Sequence, residues 1–451
     1  MRLDGVLTQA ASGLDSVSRQ LGLVGQNVAN ANTAGYVRET VSVSSSVAAG
    51  EGMGVRTGIA TRTLDKALQA ELFGATGQGA GEQLRSTVLA SVTAASGAPG
   101  AGQDLASLVG TLRDAFSTLN GDPANATQQR AVVNAAATLA GGINALSGAI
   151  GTARQATQDG LVEDVAQANA GLKQLGVLSD AIMRARAAGT TTADLEDKRD
   201  AAMQGVASLT GARFLQQSNG DLLAVSGGTV LPIRSDSGPL SVGPATLAPG
   251  TTAPPLLLNG APVSLGPDGG RIGAAAALRD TTLPGLQANL DGFAANLANG
   301  FTSAGLTLFS TAAGTVPSPA TGFASTIGVA PAVAATPSAV RDGAAAAGTA
   351  GNTALIATVL NTVLATGSGT VAGQAGTLVA DHATLADTAA KTLQTTQGVQ
   401  ASLSAKLSAG TAVSVDTEMT SMVRLQNSYG ANAKVLSAVQ AMYSQLMEMV
   451  R

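Results

Sequence analysis

Apolar residues near the start of the chain recur at alternating steps of four and three: Leu3, Leu7, Ala10, Leu14, Val17, Leu21, Val24, Val28 and Ala31. The far end repeats the spacing with Met422, Leu425, Tyr429, Asn432, Leu436, Val439, Tyr443, Leu446 and Val450. A 4-3 step keeps every member on one stripe of an α-helix, the seam of a coiled coil. Each helix would run ~40 Å at about 1.5 Å per residue. A long helix with one narrow apolar stripe depends on packing for its stability. The two seams therefore require each other or neighbouring copies, and an ordinary antiparallel pair closing a globular fold satisfies the same pattern.

Between the seams the period changes several times. Asn30 to Tyr36 is a polar stop, followed by alternation at 37–43 and 55–61 around a glycine-rich turn at 50–54; this predicts an extended ribbon or hairpin. Helical spacing resumes near Leu64. Asp122-Pro123 reads as the cap and first turn of a helix reaching about Ala188, with Leu161, Val165, Ala168, Leu172, Leu175 and Ile182 on one stripe. A break at 189–192 precedes a shorter helix over 193–209. Short apolar runs between Gly, Pro and Asn turns at 211–273 predict a small β domain. A helix over 283–304, a poorly specified Ala/Thr/Gly/Pro-rich stretch at 307–350, and helices from Ala354 and above all from Leu378 complete the chain. The expected fold is α+β and mainly α. Residues 1–63 form a terminal axial helix and ribbon, 64–210 a helical domain, 211–280 a small β domain, 281–377 a helix with a low-complexity region, and 378–451 helices pairing with the first.

Composition narrows the chemistry. The 451 residues are 45% hydrophobic but only 2% aromatic, without Trp, so small side chains must fill any core. A net charge of −4, with no Lys/Arg stripe interleaved with aromatics, argues against nucleic acid. The absence of Cys excludes disulfides, thiol catalysis and Cys-ligated metal. Asp4, Gly5, Gly13 and Asp15 interrupt what would be the apolar region of a signal peptide. Pro317, Pro319, Pro331 and Pro337 break the uncharged stretch at 292–340, so no membrane insertion is expected.

No catalytic constellation emerges. His382 is the single histidine and reads as a solvated side chain at a polar helix start, which leaves zinc and Cys/His schemes without parts. There is no Gly-x-Ser-x-Gly elbow. The glycine runs at 52–58 and 367–373 lack the Gly-Lys-Ser/Thr ending of a phosphate loop. The acidic stretch 194–200 reads as a solvated or salt-bridged helix face. No enzyme and no cofactor are expected. Five of nine Met residues, Met419, Met422, Met442, Met447 and Met449, lie in the last helix. They suit either ordinary core packing or surfaces that meet non-identical neighbours.

The stretch Asn27-Val28-Ala29-Asn30-Ala31-Asn32-Thr33-Ala34-Gly35-Tyr36 resembles the signature of the flagellar rod, hook and hook-associated axial proteins, and Tyr429-Gly430-Ala431-Asn432-Ala433-Lys434-Val435-Leu436 resembles their partner helix. In the middle, Asp194-Leu195-Glu196-Asp197-Lys198-Arg199-Asp200, Gly121-Asp122-Pro123, Gly269 to Gly273 and Val415 to Glu418 are similar to the hook–filament junction members of that family. The likeness covers about three quarters of the chain and lapses at 305–350, where larger relatives carry additional β structure.

The resemblance implies a secreted structural protein, exported unfolded through the flagellar type III apparatus to the extracellular flagellum. It would self-assemble into a short ring at the hook tip, between the hook protein and a second junction protein, its terminal helices ordering on assembly. The two seams would be the assembly interface. Asn30, Gly35 and Tyr36 would shape the exit from the first helix, Gly35 as a left-handed cap and Tyr36 as an anchor for the ribbon; an ordinary turn with a surface Tyr is the plainer alternative. An export chaperone would hold the Met- and Leu-lined C-terminal helix, which would otherwise self-associate. A hook or rod subunit, or a secreted coiled-coil adhesin or phage tail protein, would share part of this pattern.

Overall fold

The computed structural model describes residues 3–33, 35–48, 51–97, 100, 102–235, 238–343, 354–367 and 369–449, without the side chains of residues 3, 4, 48 and 51. Of the seam positions, Val450 and the side chain of Leu3 lie outside the described residues. Helix α1 (Leu3–Ala29) leads through a turn into an antiparallel ribbon of β1 (Glu39–Ala48) and β2 (Glu51–Arg62), in which Glu39 stands opposite Arg62. The strands run further than the glycine pattern suggests, taking Gly52 and Gly54 into β2. Gly54, at φ +103°, lies so close to α1 that a Cβ would collide with the Ser12 hydroxyl.

Helix α2 (Lys66–Ser96) starts where the Asp65 carboxylate accepts the amides of Ala67 and Leu68 at 3.0 and 3.1 Å. Helix α3 (Leu105–Gly121) is capped in the same way by Asp104. Asp122 proves to close α3 rather than to open its successor: the 62-residue helix α4 (Ala126–Ala187) takes its cap from Asn125, whose side chain accepts from Thr127 and Gln128. Pro123 lies in the turn between them, where its carbonyl accepts from Gln129 at 2.8 Å. At about 1.5 Å per residue α4 extends ~93 Å. It is the one described helix long and apolar enough by composition to cross a membrane, yet its apolar stripe is packed inside the protein.

Helix α5 (Ala193–Thr210) ends at Gly211, φ +63°. A meander of β3 (Arg213–Gln216), β4 (Leu222–Ser226) and β5 (Thr229–Leu231) follows, then a second small sheet of β6 (Leu240–Ser241), β7 (Leu257–Leu258) and β8 (Ala261–Pro262). The β region is shorter than expected, because helix begins at Gly270 rather than near Leu283. Helix α6 (Gly270–Ala277) continues through one π turn (Leu278–Thr282) into α7 (Leu283–Ser303). Its glycine-rich start looks like a turn in the sequence, but Gly270, Ile272, Ala274 and Ala275 are buried.

The low-complexity stretch is also ordered where it is described. It forms β9 (Phe309–Ser310), β10 (Gly328–Val329), α8 (Pro331–Ala335) and α9 (Ala339–Asp342). Leu306, Leu308, Phe309, Phe323 and Ile327 are buried there, and the Asp291 carboxylate accepts the amides of Gly322 and Ala324 at 2.8 and 2.9 Å. After α10 (Ala354–Thr358) come α11 (Val371–Thr411) and α12 (Val415–Met449).

Helix α11 runs antiparallel to α2, with Thr93 and Ser96 meeting His382 and Thr76 meeting Gln400. His382 is therefore not a solvated residue at a helix start. It lies eleven positions inside α11, only 3% exposed, with Nδ1 3.0 Å from the Ser96 hydroxyl.

Two hydrophobic clusters build the body. One joins α3, the first half of α4, α7, the 306–340 stretch and the start of α11; the other joins the second half of α4, α5, α6 and the small sheets. Among the described residues, none of α1, β1, β2 or α12 belongs to either cluster. The two ends of the chain form a separate terminal module.

Candidate functional site: the terminal helix pair and its joint to the body

Helices α1 and α12 pack together. A Cβ on Gly13 would meet the Asn432 side chain at 3.1 Å, and Asn27 reaches Glu418 at 3.5 Å. Both contacts fit one antiparallel register, in which partner numbers add to 445. Ala10, Val17 and Val24 are buried in this pair, whereas Leu7, Leu14, Leu21 and Val28 are half-buried. Every second member of the seam thus stays partly open.

The last helix is less covered. Val439 is 2% exposed, and Met422, Leu425, Asn432 and Leu436 are half-buried. Tyr429, Tyr443 and Leu446 are exposed, as are Met419, Val423, Val435, Met442, Met447 and Met449. The register explains the final residues: past Met442, α12 runs beyond the first described residue of α1. A helix with apolar side chains on several faces needs more cover than one neighbour supplies.

Where α1 ends, a polar network sets the direction of the chain. The Asn27 side chain, 1% exposed, pairs with the Glu39 backbone as a strand would: Nδ2 donates to the carbonyl at 3.0 Å and Oδ1 accepts the amide at 3.1 Å. The Tyr36 hydroxyl donates to the same Oδ1 at 2.8 Å. Asn30 is half-buried and receives a hydrogen bond from the Thr33 hydroxyl. Gly35, φ +80°, lies six residues past the end of α1, so it serves the following turn instead of capping the helix.

The chain crosses between module and body twice, side by side. The Arg38 amide donates to the Thr411 carbonyl at 3.1 Å and the Thr63 amide to the Arg38 carbonyl at 3.0 Å. Arg38 Nε lies 2.7 Å from Glu418, which is 1% exposed. Arg62, at the end of β2, reaches into the first turns of α5. Its Nε lies 2.7 Å from Asp197, and its terminal nitrogens lie against Glu196 and Asp200. The acidic stretch 194–200 is thus a salt-bridged face that anchors the ribbon.

Burial raises the Glu39 carboxyl above its usual range, helped by the charges of Asp194 and Asp197 and opposed by Arg62. Asp197 is pushed up to about 6, chiefly by burial, against the pull of Arg62 and the Val37 amide. Burial, and then the same carboxylates, raise the Tyr36 hydroxyl. For Glu196 the hydrogen bonds from Arg186 and Thr192, with Arg62, outweigh burial and hold its carboxyl low.

Asn27, Arg38, Glu39, Arg62 and Glu418 carry the joint, yet they stand outside the seam pattern. The signals that point to them are an Asn directly beside the seam residue Val28 and charged residues just after or at the end of the motifs at 27–36 and 415–418, Arg38, Glu39 and Glu418. Among the described residues no group of three His, Asp or Glu is arranged to hold a metal.

Comparison with known proteins bears on both parts of the chain. Residues 98–314, from before α3 to beyond β9, match the family described as flagellar hook-associated protein FlgK helical domain. Residues 408–449, the end of α11 with α12, match the family described as flagellar basal body rod FlgEFG protein C-terminal. No curated protein matches the chain. A solved structure described as the flagellar hook junction protein FlgK from Burkholderia pseudomallei is 24% identical with a TM-score of 0.42, covering 54% of this chain and 46% of its own. The chain thus spans less than half the length of that protein. In chain order, the two matched segments therefore resemble a hook-associated helical domain and a basal body rod C-terminal helix.

Proposed function

We propose that this protein is a structural subunit of the bacterial flagellum, polymerising as a short ring at the hook tip and connecting hook to filament. The observation that carries the reading is the state of α12. It is held along one side by α1 and leaves Tyr429, Met442, Tyr443, Leu446, Met447 and Met449 exposed. An apolar surface of this extent on a soluble chain marks an interaction site. In a ring, the open positions of both seams would pack against neighbouring copies, with the hook protein on one side and the second junction protein on the other. The body, with its own two cores, would face outwards. Before export a chaperone would cover α12.

The first experiment is deletion of the gene in its host, with electron microscopy of the cells and an assay of flagellin in the medium. Hooks without filaments, with monomeric flagellin released, are the expected result. Loss of the hook itself would move the protein to the hook or rod, and normal motile flagella would overturn the axial reading. A chain truncated at about Ser414 should lose the chaperone; normal binding by that truncation would exclude α12 as the contact.

A further inference from the structure

We propose that the joint between terminal module and body is a proton-operated latch: protons taken up by the carboxylates facing one another across β1 and α5 close the module onto the body, and their release loosens it. The geometry is unbalanced in a specific way. From α5 come Asp194, Glu196, Asp197 and Asp200; β1 adds Glu39 and α12 adds Glu418. Against these six carboxylates stand Arg62 of β2, Arg38 of the exit segment, and Arg186 and Arg199 of the body. Arg199 spends a donor on the Gly220 carbonyl, and Arg186 donates to Ser218 as well as to Glu196. Tyr36, the remaining titratable group on the exit segment, donates to Asn27.

The crowding of negative charge leaves buried atoms unpaired on both sides, with Arg62 Nε and Arg199 Nε lacking hydrogen-bond partners as well as several carboxylate oxygens. Glu39 is only 3% exposed, yet its Oε1 has no hydrogen-bond partner. Buried Asp200 Oδ1 has none either, and Asp197 Oδ1 lies near Arg62 Nε without hydrogen-bond geometry. Buried charged acceptors left unpaired are costly, and a proton on Glu39 or Asp197 removes part of the like charge gathered there. The raised carboxyls of Glu39 and Asp197 agree with this. Closure therefore takes up protons, and the sign follows. The contribution is complete below the ordinary carboxylate range and is lost as pH rises through about 6. The latch concerns the joint alone and holds whether or not the chain forms a ring.

The chain has no cysteine, so two introduced thiols can be spin-labelled uniquely. Ser45 on β1 and Ala201 on α5 are both exposed. Label distances in full-length S45C/A201C, measured from pH 5.4 to 8, should pass from one narrow population to a broad one. One proton near pH 6 changes the closed-to-open ratio about fivefold over this range. The same pair carrying E39Q and D197N should stay narrow throughout. Distances that do not move with pH in the unmutated joint would overturn the latch. So would an equal shift in the E39Q/D197N chain, or a loss of helix content in step with the distance change.

Discussion

Glu418 and Arg38 lie 380 residues apart in sequence and 2.7 Å apart in the structure. Glu418 is buried at the first turn of α12 and Arg38 is about one-third exposed at the root of β1. The pair fastens the incoming and outgoing strands of the terminal module at one point. Glu418→Ala should remove the acceptor for Arg38 and for the Asn27 amide. Because Arg38 is partly solvated, the cost should be about 1–3 kcal/mol, below that of breaking a fully buried pair. Hydrogen exchange along α12 should speed up by roughly tenfold or more, while the α3–α4 amides keep their rates; no change in α12 would count against this fastening role.

The Asn27 side chain makes four hydrogen bonds, two to the Glu39 backbone, one to Glu418 and one from Tyr36. Asn27→Ala should cost about 2–3 kcal/mol, since it orphans the amide and carbonyl of buried Glu39. Tyr36→Phe removes a single donor and should cost about 0.5–1.5 kcal/mol. Thermal melts of the two variants should fall in that order, and the reverse order would make Tyr36 the organiser of the turn.

His382 gives a pH dependence of opposite sign to the joint. Burial lowers its pKa against the opposing charge of Asp381, and Nε2 is buried without a partner. The folded chain therefore holds the imidazole neutral, while the unfolded chain protonates below about pH 6.5. Stability from this site is present above that value and is lost as pH falls. Between pH 7.5 and 5.5 the wild type should lose up to about 1.4 kcal/mol relative to His382→Gln. Parallel stability curves for the two proteins would show that His382 titrates normally.

Glycines in α2 divide by what surrounds them. A Cβ on Gly77 would lie 2.7 Å from the Ala207 carbonyl oxygen and 3.0 Å from the Gly211 Cα, whereas one on Gly74 meets nothing within 4 Å. Gly77→Ala should force α2 away from α5 and cost about 1–3 kcal/mol. Gly74→Ala should be neutral or stabilise by up to about 1 kcal/mol, because alanine restricts the unfolded chain and favours helix. Equal melting shifts for the two would refute the close approach of α2 to α5.

Local periodicity made the terminal helices, the ribbon, α4 and four of the eight described short strands legible, because each follows a period of 3.6 or 2 over its own residues. What it could not convey is which elements meet. His382 looked solvated because the Gly367–Gly373 run hides the start of α11 at Val371, and because α2, almost 300 residues earlier, supplies its cover. Residues 306–340 looked structureless because their apolar positions are sparse; Leu306, Leu308, Phe309, Phe323, Ile327, Val333 and Val340 are nevertheless buried in the same cluster as α4 and α7. The joint escaped notice for a related reason. Glu39, Arg62, Asp197 and Glu418 come from four segments, and only the folded chain brings their charges together.

The two faces of α12 offer a direct test of assembly. Val439 is 2% exposed and Leu446 is 54% exposed, although both belong to the same seam. If neighbouring copies cover the open positions, the two side chains answer to different partners. Val439→Ser should loosen the α1–α12 pair within a single chain and accelerate exchange in both helices. Leu446→Ser should leave the isolated chain's melting and exchange unchanged. Burying a leucine side chain contributes about 1.5–3 kcal/mol, so removing one from each interface should weaken association roughly 10- to 100-fold. Introduced into the deletion strain, the Leu446→Ser chain should be exported yet restore few filaments. Full restoration of motility by that variant would show that the exposed end of α12 plays no part in the ring.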